Sequence, residues 1–189
     1  SSSVYDYAIH YSYDVNGNLI TMTYPDGSLE RFSYDTFGNL VSKTDRMGRT
    51  IGFTHDFRGL MTKKSFPDGS SDTFAYNTVG NLTMATDENG AIAFAYDSLN
   101  RLTHVTYPGG EIVSYGYDAV NNRTSLTYPD GTVLNYAYDA VNRLTQISAS
   151  SQTVASYTYD MLSRMTRRDL QNGTFSTFTY DLSSRLLDL

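Results

Sequence analysis

A Tyr-Asp pair recurs along this chain at an almost constant interval. From Tyr13 onward, seven of the eight steps between successive copies are 21 residues long, and the remaining step is 20. We call the first residue of each pair the anchor; the anchor pairs are Tyr13-Asp14, Tyr34-Asp35, His55-Asp56, Tyr76-Asn77, Tyr96-Asp97, Tyr117-Asp118, Tyr138-Asp139, Tyr159-Asp160 and Tyr180-Asp181. A fixed period of this length indicates a repeat architecture built from small supersecondary units.

Other residue types recur at fixed distances from the anchor. An aromatic residue stands two positions before it, and a large apolar residue such as Leu19 or Leu40 stands six positions after it in every unit except that of Arg123. The fourth position after the anchor is occupied by Gly17, Gly38, Gly59, Gly80, Asn100, Asn121, Asn142, Ser163 and Ser184. Gly and Asn enter the left-handed backbone region at low cost, so we expect a positive φ at this position. The anchor Asp is placed to cap the same turn with its side chain.

A second turn follows later in each unit. It reads Pro25-Asp26-Gly27 in the first unit and has the looser form Asp45–Gly48, Asp87–Gly90 or Gln171–Gly173 in three others. This composition predicts a type I turn that closes a hairpin with a bulge. Because one residue is missing near Asp87–Gly90, we expect a shifted register or a bend at that hairpin.

The segments between the turns are short and rich in Thr, Tyr, Phe, Val, Ile and Leu, which favours strands. The sequence therefore predicts an all-β fold, a repetitive antiparallel β-hairpin ribbon with units of about 21 residues. Long open sheets accumulate right-handed twist, so we expect the ribbon to curl into a spiral or partial shell. Residues 1–189 are expected to form a single array of about nine units.

The two aromatics of each unit are two residues apart, so they share one face of their strand. Neighbouring units would align them in two columns, and packing between units is the favoured interpretation. The alternative is a platform for sugar rings, with Tyr115, Tyr117, Tyr136 and Tyr138 as candidate glycan-binding residues. Later units carry Arg101, Arg143, Arg164 and Arg185 at one shared position, where we expect a row of solvated surface charges.

Composition argues against several function classes. The net charge is −6 without a basic block, which argues against nucleic acid as the main partner. The sequence contains no run of eighteen apolar residues, so it predicts no transmembrane helix. Because it contains no Cys, it also predicts no thiolate metal site. The acidic residues mostly obey the repeat, whereas a catalytic group should depart from it. We predict no enzyme activity, no catalytic or metal-binding residue and no cofactor, and we interpret His55 as a packing substitute for the anchor Tyr.

The unit from Tyr13 to Asp35 resembles the YD repeat of RHS and teneurin-related proteins, and the resemblance covers residues 11–189. It implies a spiralling β-ribbon that builds a hollow shell. In bacterial members the shell encloses a C-terminal toxin, in toxin complexes it forms a cocoon, and the repeats are also linked with carbohydrate binding and cell-surface contact. The resemblance thus implies the remaining repeats and a C-terminal toxin cargo of the parent chain as partners, and a secreted or cell-surface location.

The chain departs from larger members of that family in lacking their DPxGL-like motif. Because the sequence also begins and stops inside a repeat, we expect an array that is truncated at both ends and is too short to close a shell, with open sheet edges available for self-association. Two hypotheses remain: a structural segment of an encapsulating shell, and a carbohydrate-binding or adhesion module that uses exposed aromatic columns. Burial of the columns would favour the first, and flat exposed tyrosines the second.

Overall fold

The computed structural model describes residues 8–188, and in this range it contains nineteen strands and no helix. The strands are β1 (His10–Tyr13), β2 (Leu19–Thr23), β3 (Leu29–Tyr34), β4 (Leu40–Thr44), β5 (Thr50–His55), β6 (Met61–Ser65), β7 (Ser71–Tyr76), β8 (Leu82–Asp87), β9 (Gly90–Tyr96), β10 (Leu102–Thr106), β11 (Ile112–Tyr117), β12 (Arg123–Thr127), β13 (Val133–Tyr138), β14 (Leu144–Ala149), β15 (Gln152–Tyr159), β16 (Met165–Leu170), β17 (Phe175–Thr177), β18 (Thr179–Tyr180) and β19 (Leu186–Asp188). The strands β1–β17 belong to one antiparallel sheet, and β18 pairs with β19 in a second. The predicted all-β ribbon of repeating antiparallel hairpins is confirmed.

The chain divides into two compact units, Ser1–Ala93 and Phe94–Leu189. Within each of them the strands form a meander in which consecutive strands pair, as β2 does with β3 and β3 with β4, and the meander is interrupted between β17 and β18, which belong to different sheets. The organisation of all the repeats as one array remains a prediction.

Each anchor turn is a type I turn followed by a left-handed residue. In the second repeat, Gly38 donates its N–H to the carbonyl of Asp35 over 3.1 Å, and the N–H of Asp35 donates to the carbonyl of Asn39 over 2.9 Å. The φ of Gly38 is +86°, as the spacing predicts. The same slot has φ between +62° and +93° in all nine repeats, including the asparagines and serines, so the predicted left-handed conformation is confirmed.

The second turns have the predicted form in most repeats. Gly27 donates to the carbonyl of Tyr24 over 2.9 Å and has a φ of +80°. The turns ending at Gly48, Gly69, Gly110, Gly131 and Gly173 repeat this geometry. Pro at the first central position supplies the fixed φ that a type I turn uses there.

The short hairpin at Asp87–Gly90 corrects one expectation. Its loop contains only Glu88 and Asn89, with Asp87 paired to Gly90. The strands nevertheless pair as in other repeats, because Met84 lies opposite Ala93 as Thr21 lies opposite Arg31. The register shift predicted as one outcome of the missing residue is absent, since the loop alone absorbs the deletion.

A second two-residue loop escaped prediction. Ser150 and Ser151 both have positive φ, +46° and +71°, which is the signature of a type I′ turn. Its shorter loop is offset by a bulge in β15, where Ile147 pairs with Ala155 and Ser148 with Thr153, leaving Val154 unpaired. The bulge keeps the 21-residue period intact.

The strands alternate between two unlike faces. In β11 and β12, Tyr115 lies opposite Leu126 on one face, while Ser114 lies opposite Thr127 on the other. In β3 and β4, Phe32 lies opposite Lys43, and Ser33 lies opposite Ser42. Of the apolar side chains in residues 8–188, only Val105 and Ala155 are nearly fully buried, so the aromatic face is packed mainly by neighbours in its own sheet.

Candidate functional site

The candidate site is the ladder of anchor turns, and its unit is the capped aspartate. In the second repeat, Oδ1 of Asp35 accepts hydrogen bonds from the backbone N–H groups of Phe37 and Asn39, both over 2.9 Å. Its Oδ2 accepts a third from the side-chain amide of Asn39, also over 2.9 Å. Asn77 replaces the carboxylate in one repeat and still accepts from two backbone N–H groups through its Oδ1. The cap therefore depends on a side-chain oxygen at this position rather than on the charge.

These hydrogen bonds stabilise the ionised carboxylate. At Asp14 and Asp35 the side-chain amide of the Asn five positions after the anchor contributes most to holding the pKa of the carboxyl below its usual range. At Asp139 and Asp160 the largest contribution to the lowered pKa is the backbone N–H of Arg143 and Arg164, respectively. The aspartates of the anchor turns thus hold a negative charge that already accepts several hydrogen bonds, three of them at Asp35.

Anchor tyrosines join each repeat to the one before it. The hydroxyl of Tyr117 donates to the backbone carbonyl of Leu102 over 2.9 Å. Four further hydroxyls donate to the carbonyl fifteen residues earlier, in the pairs Tyr76 to Met61, Tyr138 to Arg123, Tyr159 to Leu144 and Tyr180 to Met165. Burial raises the pKa of Tyr138 and Tyr159, which keeps these hydroxyls protonated as donors.

His55 occupies the anchor position without a hydroxyl. Its Nδ1 is buried and has no hydrogen-bond partner. By the repeat, the carbonyl that a Tyr hydroxyl would reach from this position is that of Leu40. The repeat at His55 therefore keeps an aromatic ring at the joint but lacks the hydroxyl that the tyrosines use there.

Arginines form a second clip between repeats. The Nε of Arg143 donates to Oδ2 of Asp139 over 2.7 Å, and its Nη1 donates to the backbone carbonyl of Asp160 in the next repeat over 3.0 Å. The Cζ atom of Arg143 also lies 4.8 Å from the centroid of the Tyr159 ring. Arg101 and Arg164 make the equivalent three contacts, one with the Asp of their own turn and two with the repeat that follows.

The expectation of a solvated arginine row is therefore wrong for these three residues. The side chains of Arg101, Arg143 and Arg164 are only 21–26% exposed. Arg185 matches the expectation, since its side chain is 80% exposed while its Nε pairs with Asp181. The sequence places the four arginines at one position of the repeat, but it does not reveal that the guanidinium of three of them reaches the next anchor turn.

A threonine in the strand that follows the anchor turn also escaped prediction. The pairing shifts at the anchor, as between Thr54 and His55, and this shift leaves Thr62 of β6 without an opposite residue. The hydroxyl of Thr62 donates to the carbonyl of Thr54 over 3.2 Å. Thr83, Thr103 and Thr145 make the same contact. A Thr seven positions after the anchor in most repeats was the available signal.

The four candidate glycan-binding tyrosines lie on β11 and β13. Tyr115, Tyr117, Tyr136 and Tyr138 are all half-buried. Guanidinium groups stand over two of the rings, with Cζ of Arg101 4.8 Å from the Tyr117 centroid and Cζ of Arg123 4.7 Å from that of Tyr136. Carbohydrate binding at these residues remains a prediction.

Two other kinds of site are absent from residues 8–188. That range holds no group of three or more His, Cys, Asp or Glu side chains arranged to bind a metal ion. It also holds no helix with the length and apolar character needed to cross a membrane.

Comparison with known proteins identifies the family. The model of the teneurin YD-shell matches residues 3–128, about two thirds of the chain. The chain belongs to the teneurin YD-shell family. The model of the RHS repeat matches residues 138–174 of this YD-shell chain. A search of curated protein sequences gave no match.

The YD-shell chain is also similar to solved toxin structures. It matches TcdB2-TccC3-TEV with a TM-score of 0.75 and 14% identity, covering 95% of this chain and 11% of that chain. It matches TcdB2-TccC3 with a TM-score of 0.69 and 17% identity, covering 94% and 12%. It matches the Tc holotoxin pore of Photorhabdus luminescens with a TM-score of 0.56 and 15% identity, covering 97% and 15%. At these identities the similarity concerns the fold, and the chain spans 11–15% of the length of those chains.

Proposed function

We propose that this YD-shell chain is a segment of an encapsulating shell that encloses a C-terminal toxin or effector of a longer polypeptide. The observation that supports the proposal best is the double clip between repeats. A tyrosine hydroxyl reaches back to the preceding repeat, as from Tyr159 to Leu144, and an arginine reaches forward to the following one, as from Arg143 to Asp160. Both clips add to the pairing of the strands.

Joints of this kind between repeats are suited to the wall of a closed shell. Strand pairing satisfies the backbone groups between repeats, and the capped aspartates satisfy those at the turns. A protease needs a locally opened segment, and a joint such as the one at Tyr159 must lose its hydroxyl, guanidinium and strand-pairing contacts before it opens. A ribbon of this kind can exclude proteases and solvent from a cargo without any catalytic group, and we propose that the segment is not an enzyme.

The partners in this proposal are the remaining repeats of the polypeptide and its cargo, arranged as one continuous array. We propose that the protein is secreted or displayed at the cell surface of a bacterium, by analogy with the toxin assemblies that share its fold. Fractionation of the producing cells would test the location, and confinement of the protein to the cytoplasm would contradict it.

The encapsulation proposal is tested on the natural polypeptide that contains these repeats. Its C-terminal part should resist proteinase K in the intact protein and be digested rapidly when produced alone. A triple variant, Gly17→Val, Gly38→Val and Gly59→Val, strains three anchor turns and should speed digestion of the C-terminal part. Equal digestion rates for the enclosed and isolated C-terminal parts, or a polypeptide with no C-terminal domain beyond its repeats, would refute the proposal.

The alternative function is carbohydrate binding by Tyr115, Tyr117, Tyr136 and Tyr138. The tyrosine hydroxyls of Tyr117 and Tyr138 already donate to backbone carbonyls, which favours the wall over the sugar platform. A glycan array with the parent chain and a Tyr117→Ala, Tyr138→Ala double variant distinguishes the two. Binding that the double variant loses, while its thermal unfolding shows a folded protein, would establish the alternative.

A further inference from the structure

The second turn at Tyr24 holds the guanidinium of Arg46 from the following repeat. Nε of Arg46 donates to Oγ of Ser28 over 2.7 Å, and its Nη2 pairs with the carboxylate of Asp26. The Cζ atom of Arg46 lies 4.2 Å from the centroid of the Tyr24 ring. A ring, a carboxylate and a hydroxyl on one turn therefore form a receptor for an arginine side chain, which we call an arginine cradle.

The second turn at Tyr128 has the same structure. Residues 128–132 read YPDGT, and the turn at Tyr24 reads YPDGS. The N–H of Gly131 donates to the carbonyl of Tyr128 over 3.0 Å, and Oδ1 of Asp130 accepts from the N–H of Thr132 over 2.8 Å. The corresponding distances in the turn at Tyr24 are 2.9 and 3.0 Å. The ring, carboxylate and hydroxyl of an arginine cradle are thus all present at Tyr128.

The chain supplies no cation of its own to the cradle at Tyr128. Ser150 stands at the position of the repeat that corresponds to Arg46. Within residues 8–188, no guanidinium or ammonium group lies over the Tyr128 ring, and Asp130 forms no ion pair. Tyr128 is accordingly 41% exposed, whereas Tyr24 is half-buried.

The neighbouring second turn, at Tyr107, offers the same groups in a different arrangement. Tyr107 is 42% exposed, and Gly109 stands in place of the Asp. A Cβ built on Gly109 would lie 2.6 Å from Oε1 of Glu111, so the Glu111 carboxylate takes the space that an Asp side chain fills in other turns. In the described part of the chain Glu111 forms no ion pair and no cation lies over the Tyr107 ring. A ring and a carboxylate are again available together.

A groove of about 660 Å³ joins these two turns. Glu111 and Tyr128 line it, together with Ser114 of β11 and Thr127 of β12. The turns are two strands apart, about 9.6 Å in a flat sheet. Arginines three residues apart in a polyproline II segment lie on one side of that segment, about 9.3 Å apart. The groove therefore matches an extended segment with two arginines at that interval.

We propose that the turns at Tyr107 and Tyr128 form a docking site for an extended polypeptide segment that carries two arginines three residues apart. Each guanidinium stacks on a tyrosine ring and pairs with the carboxylate beside it, Glu111 or Asp130, as Arg46 does in its own cradle. The proposal concerns the second turns and does not depend on an enclosed cargo.

The repeats themselves do not supply such a segment. Arginines three residues apart occur in this chain as Arg46 with Arg49 and as Arg164 with Arg167. All four are already paired with aspartates, which are Asp26, Asp45, Asp160 and Asp169, respectively. The net charge of −6 also favours a basic partner. The docked segment therefore comes from outside these repeats.

NMR titration of the isotope-labelled chain with the peptide acetyl-Gly-Arg-Pro-Pro-Arg-Gly-amide, at about pH 7.5, tests the proposal. The backbone amide signals of Gly110 and Gly131 should shift saturably. The midpoint should be roughly 0.1–1 mM, because exposed ion pairs and cation–π contacts are individually weak. The same peptide with citrulline in place of both arginines keeps the shape without the charge, and it should shift neither signal.

A double variant, Glu111→Gln with Asp130→Asn, removes both carboxylates and should weaken binding about tenfold or more. Asn172 occupies the position of Asp130 in another second turn and accepts the same backbone hydrogen bond, so the turn is kept. The matched control is Glu88→Gln, which removes an exposed carboxylate from a second turn that has no aromatic ring before it. This control should bind the peptide like the parent chain.

The complementary variant is Arg46→Ala, which empties the cradle at Tyr24. In the parent chain the peptide should leave the amide signal of Gly27 unchanged, because Arg46 already fills this cradle. In the variant the Gly27 signal should shift saturably. The dispersion of the amide signals shows in each case that the variant is folded.

A parent chain without saturable shifts at Gly110 and Gly131 would overturn the proposal. So would equal binding of the citrulline peptide, which would show that the groove takes a neutral segment. An equal loss in the Glu88→Gln control would assign the binding to the overall negative charge and would contradict the cradle, as would a Gly27 signal that stays unchanged in the Arg46→Ala variant.

Discussion

The hydroxyl of Tyr159 donates to the backbone carbonyl of Leu144, 2.8 Å away and fifteen residues earlier, across the joint between two repeats. We expect Tyr159→Phe to lower the free energy of unfolding by about 1 kcal/mol, because it removes the donor and leaves a half-buried carbonyl without this partner. Urea titration followed by circular dichroism measures the change. Tyr128→Phe, at a side chain that is 41% exposed, should change it by less than about 0.5 kcal/mol. Equal effects of the two substitutions would show that the Tyr159 hydroxyl does not stabilise the joint between the repeats.

The equivalent joint at His55 lacks this hydroxyl, so restoring it there is predicted to raise stability. Replacing this residue by Tyr supplies a hydroxyl that can reach the carbonyl of Leu40, and it removes the buried Nδ1 that has no partner. We expect His55→Tyr to raise the free energy of unfolding by about 1 kcal/mol. His55→Phe is the control, since it keeps a ring but adds no donor. A gain from Phe as large as that from Tyr would show that packing alone limits this joint.

Gly38 tests the left-handed position. A Cβ built on this residue has no neighbour within 4 Å, so any loss on substitution comes from its φ of +86° rather than from a clash. We expect Gly38→Val to cost about 1–3 kcal/mol and Gly38→Asn less than about 1 kcal/mol, because Asn occupies the same position at Asn100 with a φ of +62°. Thermal unfolding ranks the two variants. Equal stability of the Val variant and the parent would be incompatible with the turn geometry.

Arg143 tests the forward clip. Arg143→Asn keeps a side chain able to bind the carboxylate of Asp139, as Asn39 binds Asp35, but it cannot reach Asp160 and stack on Tyr159. We expect a loss on the order of 1 kcal/mol and a broader unfolding transition, because the coupling between two repeats is weakened. Arg185→Asn is the matched control at a side chain that is 80% exposed, and it should change neither quantity. A loss at Arg185 as large as that at Arg143 would contradict the clip.

The lowered pKa values of the anchor carboxyls predict that the protein loses stability in acid. Their pKa values are lowered in the folded chain, so folding favours the ionised form. The stabilisation is complete above the unfolded value of about 4 and is lost as pH falls through the folded pKa values. The midpoint of thermal unfolding should therefore fall steeply below about pH 4.

Two reciprocal substitutions isolate this effect. Asp118→Asn should flatten the acid limb of the curve, because Asn77 shows that an amide oxygen can accept the same backbone hydrogen bonds. Asn77→Asp should steepen it. Identical acid limbs in the parent and both variants would assign the acid sensitivity to other groups.

The sequence predicted the parts of this structure that depend on short-range chemistry. Gly17 and Asn100 at one position implied a left-handed residue, and Pro25-Asp26-Gly27 implied a type I turn; both are present. The clip from Arg143 to Asp160 was missed because it depends on how far one repeat lies from the next, which no single repeat encodes. The turn at Ser150-Ser151 was missed because serines are uncommon in a type I′ turn, and its compensating bulge at Val154 leaves the period unchanged.

The loops Glu88-Asn89 and Ser150-Ser151 show where the ribbon tolerates variation in length. Both are shorter than the usual second turn, yet the residue pairs farther from the loop keep the register of their counterparts, directly at Glu88-Asn89 and through the Val154 bulge at Ser150-Ser151. A change of loop length at a second turn is therefore confined to its own hairpin and is not passed to later repeats. The second turns are accordingly the natural sites for grafting foreign peptides, whereas an insertion at the anchor turn of Asp139 or Asp160 would break the cap and both clips at once.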